Sequence, residues 1–385
     1  MKWPLHVNPK EIDAIILSHA HLDHSGGVPS FYLSNDIKTY CTKPTAQICD
    51  LLINDFINLS NDVLKQYIPY QHQELEKMKE NIVDIGMNSE FNIGDIKVNF
   101  VNAGHMPGSV SVSIEGEGKR VVYTGDINSS DQNLVKGADT KYGEVDLLIT
   151  ESTYGVNDHP DREDVEEEFV SFAKDVTERG GTLLVPAFAV GRSQEIACVL
   201  KSHNYSLPVT MDGMALKTNR ILLENLEFLR DSKLFKRMIN GLTEAKNWKQ
   251  RKELINTPGV IIVPAGMMVG GLSSYYKGSI AMNEKNAISL VSYQAEGTPG
   301  RTLLEKKMIK VDGKLKKIKG KFEHFNFSSH SGSKQLFEMI DGIKGNPTIV
   351  AVHGEEEQAT SFVQKVQKDY GYDAIAPELG DKIII

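Results

Sequence analysis

The chain has 385 residues, of which 40% are hydrophobic and 24% are charged, and its formal net charge is −8. These values are ordinary for a globular protein of two domains or one large one, and they argue against polyanion binding through bulk charge. No apolar run reaches the roughly 18 residues of a membrane span. The first ten residues lack the apolar core of a signal peptide, and three cysteines without a CxxC pair argue against a disulfide framework. We therefore expect no membrane contact and a reducing, cytoplasmic location.

Strand-like and helical stretches alternate along the first part of the chain. An apolar strand at 13–18 leads into a cluster of histidines, and a stretch with helical spacing follows at 43–60. Further strands are expected at 96–104, 119–126 and 145–153, each ending in polar residues. The pattern predicts a mixed α/β fold.

A second α/β unit is expected from about residue 156 to residue 323. It begins with an amphipathic helix, predicted at 162–181, which ends in two glycines. The stretch 182–201 then gives a strand, a loop and a helix, and 259–271 and 287–293 repeat the strand and loop. No internal repeat and no low-complexity tract interrupts this pattern.

A hairpin is predicted at 309–325, with its turn at Asp312–Gly313, and a buried strand at 347–352 then ends in His353. The segment 305–321 carries eight lysines. Such lysines either protect an exposed strand edge from pairing or track a phosphate backbone. The pattern favours edge protection and leaves the second alternative open.

The stretch LSHAHLDHSGG places four metal-ligand side chains within six positions, at the end of the first strand. They are His19, His21, Asp23 and His24. Imidazole and carboxylate groups are the ligands of hydrolytic zinc sites. In an extended segment His19 and His21 point the same way, and Asp23 and His24 reach a neighbouring position across a turn. One loop of this kind can serve two metal ions about 3.5–4 Å apart.

Three more ligand-type residues stand where later strands stop. His105 follows the strand 96–104, Asp126 ends the strand 119–126, and His353 ends the strand 347–352. Each lies among small residues that allow a close backbone approach. Each alone is equally compatible with a structural role, but together they fit two metal ions that share one carboxylate.

The motifs HxHxDH, AGH, TGD, ESTYG, SSH and VHGE occur in this order and resemble those of the β-CASP nucleases, a branch of the metallo-β-lactamase fold. That branch includes the nuclease subunit of the cleavage and polyadenylation machinery, its archaeal relatives and RNase J. The segments PAFAVGRSQE, MDGMA, GMMVGG and SYQAEGTPGR resemble parts of the inserted β-CASP domain. The likeness therefore covers nearly the whole chain.

The resemblance implies an αββα metallo-β-lactamase sandwich with an inserted α/β β-CASP domain. Residues 1–155 and 324–385 are expected to form the sandwich, and residues 156–323 the insertion. Members of the branch usually carry further strands, with an aspartate in a DxG-like turn, ahead of HxHxDH. Here the histidine cluster begins at His19, so we expect the N-terminal strands of the sandwich to be missing.

The resemblance also implies two Zn²⁺ ions per chain and a set of residues for each role. The metal ligands are His19, His21 and His105 for the first zinc, Asp23, His24 and His353 for the second, and Asp126 between both. The catalytic residues are Asp23, Glu151 and His330. Of these, Glu151 and His330 complete the site and take part in proton transfer. A structural ion pair is the alternative for Glu151 and His330.

The implied function is a zinc-dependent ribonuclease that hydrolyses phosphodiester bonds by a two-metal hydroxide mechanism. It would be an endonuclease, with or without 5′→3′ exonuclease activity, acting on single-stranded RNA and pairing as a homodimer. RNA is favoured because RNA-acting members of the branch carry histidine at VHGE, where DNA-acting members carry valine. The expected RNA contacts are Arg192, Gly266, Met267, Gly270, Gly271 and Ser273.

Two other functions stay open. A non-catalytic RNA-binding or scaffold subunit would usually lack metal ligands, whereas this chain has seven candidates. A hydrolase of small esters or lactams is disfavoured by the inserted domain, because small-substrate members of the fold lack it.

Overall fold

The structure of the protein is a computed structural model, which describes residue 5 and residues 7–384. These residues form two compact units. Unit 1 comprises the described residues up to Asp131, Val135–Asp158, and those from Ser329 onward; unit 2 comprises Gln132–Leu134 and His159–Ser328.

The first part of unit 1 contains most of its strands. In chain order its elements are β1 (Ala14–Ile16), α1 (Leu22–Ser25), β2 (Lys38–Cys41), α2 (Lys43–Asn58), α3 (His72–Glu80), β3 (Ile82–Asp84), β4 (Glu90–Ile93), β5 (Ile96–Asn102), β6 (Val110–Gly116), β7 (Lys119–Tyr123) and β8 (Leu147–Glu151). Helix α2 begins with a proline in its first turn, where the missing N–H costs nothing, and buries one apolar face.

Unit 2 alternates strands and helices. Its elements are α4 (Arg162–Glu178), β9 (Thr182–Pro186), α5 (Arg192–Ser202), β10 (Val209–Met211), α6 (Met214–Leu223), α7 (Ser232–Gly241), β11 (Leu242–Glu244), α8 (Trp248–Leu254), β12 (Gly259–Val263), α9 (Gly271–Ala281), β13 (Ala287–Leu290), α10 (Pro299–Lys306), β14 (Met308–Val311), β15 (Lys314–Lys317) and β16 (Lys321–His324).

The chain then returns to unit 1. The last elements are α11 (Ser333–Asp341), β17 (Thr348–Val352), α12 (Glu356–Tyr370) and β18 (Ala374–Ile375).

Unit 1 has four layers, two sheets between two layers of helices. A three-stranded parallel sheet in the order β1-β2-β3 faces a seven-stranded sheet in the order β18-β17-β8-β7-β6-β5-β4. Ile16 and Tyr40 from the first sheet pack against Phe100 and its neighbours in the second. On the outer face of the second sheet, Ile340 of α11 and Phe362 of α12 complete a buried cluster. Each such buried side chain contributes roughly 1.5–3 kcal/mol.

The direction of the strands in the large sheet decides where the polar loop residues lie. Strands β7, β8 and β17 are parallel neighbours, and β5 runs the same way because β6 is antiparallel to both β5 and β7. The carboxyl ends of these four strands therefore meet at one edge of the sheet. Strand β1 joins this edge through a hydrogen bond from the Val110 amide to the Ser18 carbonyl, 2.9 Å long.

Unit 2 is built on a six-stranded, all-parallel sheet in the order β11-β10-β12-β9-β13-β16. Strands β9 and β12 are buried along their whole length, which explains their unbroken apolar runs, since both faces of a parallel sheet are covered. Tyr276 and Ile280 of α9 pack on this sheet.

Two details differ from the sequence-based predictions, and a third prediction is left untested. The stretch Val110–Gly116, for which no strand was predicted, is a full strand between β5 and β7. The predicted hairpin ends at Lys317, and β16 instead pairs in parallel with β13. The expected absence of N-terminal strands stays a prediction, because residues 1–4 and 6 lie outside the described part of the chain.

Candidate metal centre

Loops from separate strands bring the predicted ligands together in unit 1. His19 and His21 follow β1, and Asp23 and His24 form the first turns of α1. The remaining candidates follow the co-directional strands of the large sheet: His105 after β5, Asp126 after β7, Glu151 at the end of β8, and His353 after β17.

One group of ligand atoms comes from three histidines and Asp126. Asp126 Oδ2 lies 3.3 Å from His19 Nε2 and 3.5 Å from His105 Nε2. His105 Nε2 lies 3.0 Å from His21 Nδ1. One atom from each of the four residues fits within a span of 4.8 Å, as a single cation requires.

A second group lies directly beside the first. Asp23 Oδ2 is 3.2 Å from His353 Nε2 and 3.8 Å from His24 Nε2. Asp126 reaches this group through its other oxygen, since Oδ1 is 3.3 Å from His24 Nε2 and 3.5 Å from His353 Nδ1. The two oxygens of one carboxylate therefore face different groups, which is the arrangement of a bridging ligand.

Unsatisfied buried atoms show that these groups fit a cation. Among the described residues, His19 Nε2, His24 Nε2 and Asp126 Oδ1 are buried without a hydrogen-bond partner. Leaving such atoms unpaired costs about 1–3 kcal/mol each. Imidazole nitrogens and carboxylate oxygens that point at one another in this way are a donor set for a transition metal such as zinc.

Burial keeps the first three histidines in the neutral form that a metal ion needs. It lowers the pKa of His19, lowers the pKa of His21 to about 3, and holds the pKa of His105 well below its ordinary value. At Asp126, burial favours the protonated acid, but the imidazoles of His19 and His24, each 3.3 Å from a carboxylate oxygen, outweigh it, and the pKa stays well below its usual range.

The second group is more exposed and more strongly charged. Burial opposes ionisation of Asp23, but a hydrogen bond with His353 and the nearby histidines lower its pKa. Burial likewise opposes protonation of His353, but Asp23 and Asp126 raise its pKa to about 9. In the metal-free chain this pair is an ion pair that a cation would replace.

Supporting hydrogen bonds orient the ligand rings. His105 Nδ1 donates to the Ser329 carbonyl over 2.9 Å, which leaves the lone pair on Nε2, the atom that faces Asp126. His19 Nδ1 contacts Ser18 Oγ at 3.2 Å. Neither Ser329 nor Ser18 was predicted from the sequence, because a backbone carbonyl and an ordinary serine carry no sequence signal.

Glu151 and His330 form a pair beside the ligands. His330 Nδ1 lies 2.9 and 2.8 Å from the two oxygens of Glu151, which is fully buried and also accepts a 2.7 Å hydrogen bond from the Ile127 amide. Burial alone would lower the pKa of His330, but the Glu151 carboxylate raises it. The pair can therefore hold a proton next to the metal groups.

Thr153 is a site residue to which the sequence analysis assigned no role. Its hydroxyl lies 3.1 Å from His353 Nδ1 and 3.4 Å from His330 Nδ1, and it donates a 2.9 Å hydrogen bond to the His353 carbonyl. The ESTYG motif contains Thr153, but nothing in the motif says which of its residues reach the histidines.

The residues predicted to contact RNA all lie in unit 2, after the neighbouring strands β9 and β12. Arg192 opens α5, and Gly266 and Met267 lie in the loop after β12. Gly270 and Gly271 are exposed at the start of α9, whereas Ser273 is buried, with its hydroxyl donating to the Gly270 carbonyl over 3.0 Å. Arg192 is also buried.

Comparisons with known proteins agree with this architecture. Models of a Beta-lactamase superfamily domain, a Beta-Casp domain and a Zn-dependent metallo-hydrolase RNA specificity domain match residues 2–177, 193–303 and 316–377. A crystal structure of a protein of unknown function from Enterococcus faecalis shares the fold, with a TM-score of 0.58, 17% identity, and coverage of 97% of this chain and 81% of that one.

Relatives with clear sequence identity carry informative names. RNase aCSPSF2 of Saccharolobus solfataricus is 39% identical, over 99% of this chain and 77% of its own length. Probable RNase MJ4 of Methanocaldococcus jannaschii is 35% identical, over 98% of this chain and 89% of its own length. Transcription termination factor FttA of the same organism is 34% identical, over 96% of this chain and 62% of its own length.

None of the helices in the described residues combines the length and hydropathy that crossing a bilayer requires.

The domain matches, the relatives and the motif order agree with one another. The chain belongs to the β-CASP family of metallo-hydrolase ribonucleases, within the metallo-β-lactamase superfamily.

Proposed function

We propose that this protein is a two-zinc ribonuclease that cleaves single-stranded RNA to leave a 5′-phosphate and a 3′-hydroxyl. The observation that carries the proposal is the Asp126 carboxylate, whose two oxygens face two adjacent groups of imidazole and carboxylate ligands. When bound, two zinc ions supply Lewis-acid chemistry, activating water near neutral pH and offsetting charge on phosphoryl oxygens.

In this proposal each of the seven predicted metal ligands has a defined role. The first zinc would be held by His19, His21 and His105, the second by Asp23, His24 and His353, and Asp126 would serve both. Neutral imidazoles and ionised carboxylates are the required states, and the directions of the pKa shifts of the first three histidines and of both aspartates favour them.

His330 is proposed as the general acid for the leaving 3′-oxygen. Glu151 accepts the Nδ1–H hydrogen bond and raises the pKa of the ring, so His330 stays protonated near neutral pH and can donate from Nε2. General acid catalysis of this kind typically contributes about 10²–10⁴-fold. Asp23, as a ligand beside His353, is assigned to the same catalytic set.

RNA is proposed as the substrate because two kinds of observation agree. Relatives are named RNase and transcription termination factor, and one matching domain is described as an RNA specificity domain. In unit 2, α5 and α9 both begin behind a glycine with positive φ, and their N-terminal amides favour phosphate. We propose that the backbone of Gly266, Met267, Gly270 and Gly271 contacts RNA while buried Arg192 and Ser273 support it.

Further assignments belong to the same proposal. Residues 1–155 and 324–385 would form the metallo-β-lactamase domain and 156–323 the β-CASP domain, and unit 2 has limits close to these, at His159 and Ser328. The cytoplasmic location is supported by three free, buried cysteines. The homodimer stays a prediction, which sedimentation of the purified protein tests.

The test combines metal content with cleavage. Protein dialysed against buffered zinc should contain two zinc ions per chain, and it should cleave 5′-labelled and internally labelled RNA until a chelator is added. Asp126→Asn should lose both zinc and cleavage. His330→Asn should keep zinc and lose about 10²–10⁴-fold in rate. His324→Asn, six residues before His330, is the matched control and should behave as the wild type.

The same assay separates the alternatives. Retention of RNA without cleavage by zinc-loaded protein would favour a binding or scaffold subunit. Turnover of a thioester or lactam without RNA cleavage would favour a small-substrate hydrolase. Labelled products that shorten stepwise from the 5′ end would add exonuclease activity to the proposal.

A further inference from the structure

Two parallel strands place Thr153 next to the ligand His353. Strands β8 and β17 pair with Glu151 opposite Val352, so the residues that follow each strand lie side by side. Ser152 Oγ donates a 2.9 Å hydrogen bond to the Val352 carbonyl. A Cβ atom on Gly354 would lie 2.5 Å from Ser152 Oγ, so a glycine is needed there. The two loops are thus held in close contact around His353.

The backbone of His353 adopts a conformation that side chains usually avoid. Its φ is 52°, in the left-handed region, where a residue other than glycine is held only when its surroundings fix it. Thr153 supplies one such restraint, because its hydroxyl donates to the His353 carbonyl over 2.9 Å.

The single hydroxyl proton of Thr153 also fixes the role of Nδ1 in the His353 ring. A carbonyl can only accept, so the hydroxyl proton goes to the His353 carbonyl. At 3.1 Å the hydroxyl oxygen must then accept from His353 Nδ1–H. Nε2 then makes the 3.2 Å contact with the Asp23 carboxylate, and it is the nitrogen left to bind a metal ion in place of its proton in the second ligand group.

His330 does not compete with His353 for the hydroxyl oxygen of Thr153. Its Nδ1 is 3.4 Å from the Thr153 hydroxyl but only 2.8 Å from Glu151 Oε2, so its proton goes to the carboxylate. The Thr153 oxygen therefore remains available to His353.

We propose that Thr153 is a positioning residue for the second metal site, where its hydroxyl fixes the tautomer and rotation of His353 so that Nε2 faces the metal ion. This inference rests on the proposed two-zinc function. In this proposal Thr153 acts on the metal site through its contacts with His353. The first group, which contains His19, His21 and His105, has its own supporting contacts and is independent of it.

The experiment compares Thr153→Val with Thr153→Ser. Valine keeps the branched shape and removes the hydroxyl, whereas serine keeps the hydroxyl. Zinc dissociation constants are measured for both sites by competition with a chromophoric chelator. We expect Thr153→Val to weaken the second site by about 10–100-fold and to leave the first unchanged. Thr153→Ser should bind zinc at the second site with the wild-type affinity.

The control is Thr348→Val, which makes the same change at the start of β17. Thr348 has no hydrogen bond from its hydroxyl within the described residues, so both zinc constants should match the wild type. Unchanged zinc binding in Thr153→Val, or loss of the second zinc in both Thr153 variants, would overturn the proposal. A wild-type chain without two zinc ions would instead overturn the proposed function.

A measurement on the wild type covers the case in which Thr153→Val does not fold. Long-range ¹H–¹⁵N spectra of histidine-labelled, zinc-loaded protein report the tautomer of each ring, and His353→Gln identifies the signals of His353. We expect a proton on Nδ1. A proton on Nε2 would overturn the proposal without any Thr153 variant.

Discussion

At the residue scale, the pair formed by Glu151 and His330 predicts a change in the pH dependence of cleavage. The buried carboxylate raises the pKa of His330, against the lowering effect of burial. A general acid works only while it is protonated, so the rate falls as pH rises through its pKa. Glu151→Gln removes the charge and lowers that pKa, so the alkaline fall in rate should begin at a lower pH.

Single-turnover rates between pH 6 and 9 check this expectation, with zinc content measured at each pH. Glu357→Gln, an identical change on the exposed side of α12, should leave the profile in place. A Glu151→Gln profile that keeps the wild-type pH limit would mean that the carboxylate has no role in the ionisation of His330.

At the element scale, the connection between β5 and β6 predicts that Gly104 controls the position of His105. Gly104 has φ of +67°, and a Cβ atom there would lie 2.2 Å from the Asn128 carbonyl oxygen and 2.5 Å from the Ala138 amide nitrogen. Backbone atoms cannot move aside cheaply, so Gly104→Ala must shift the loop that carries the ligand. We expect zinc affinity to fall by about 10–100-fold and the free energy of unfolding by roughly 1–3 kcal/mol.

Gly118→Ala is the matched control for Gly104→Ala. Gly118 also has positive φ, +74°, but nothing lies within 4 Å of its added Cβ. It should lose about 1–2 kcal/mol of stability and keep its zinc affinity in a chelator competition. Equal zinc affinities for both variants would show that the loop tolerates displacement.

The lysine-rich hairpin is a second element with a testable role. Strands β14 and β15 pair only with each other in the described residues, so both outer edges are open. Ile309 packs into the core of unit 2, while Lys310 and Lys317 stand on the opposite face. Following the edge-protection interpretation, Lys310→Gln with Lys317→Gln should raise self-association in light scattering and leave the salt dependence of RNA binding unchanged.

Phosphate contacts would give a different result for the same double variant. The slope of log affinity against log salt would then fall by about 0.7 for each lysine that contacts single-stranded RNA. Lys249→Gln with Lys252→Gln on α8 removes the same charge from a helix and serves as the control.

At the scale of the whole molecule, strand order explains which parts could be predicted from sequence. The metal ligands stand at strand ends, and parallel strands bring their carboxyl ends to one edge, so motif and pattern together predict the cluster that contains His105 and Asp126. The contact of Thr153 with His353 depends on the exact path of two loops, which no local pattern encodes. Strand β16 was missed as a partner of β13 because that pairing links residues far apart in sequence.

The shifted pKa values of five site histidines predict how the stability of the whole metal-free protein depends on pH. Burial lowers the pKa of His19 and His105 below the ordinary 6.5, and that of His21 to about 3. Below pH 6.5 the unfolded chain therefore binds protons that the folded chain does not. As the pH decreases below 6.5, the free energy of unfolding therefore decreases, by up to about 1.4 kcal/mol per pH unit for each histidine.

Above pH 6.5 the pH dependence of the free energy of unfolding has the opposite sign. Burial opposes protonation of His353 and His330, but Asp23 raises the pKa of the former to about 9, and Glu151 raises that of the latter. The folded chain keeps protons that the unfolded chain loses above pH 6.5, so stability falls as pH rises through the folded pKa values. Urea denaturation of chelator-treated protein should therefore show greatest stability near pH 6.5. A steady rise in stability from acid to alkaline pH would contradict the geometry from which these shifts arise, because it would leave His353 and His330 without their carboxylate partners.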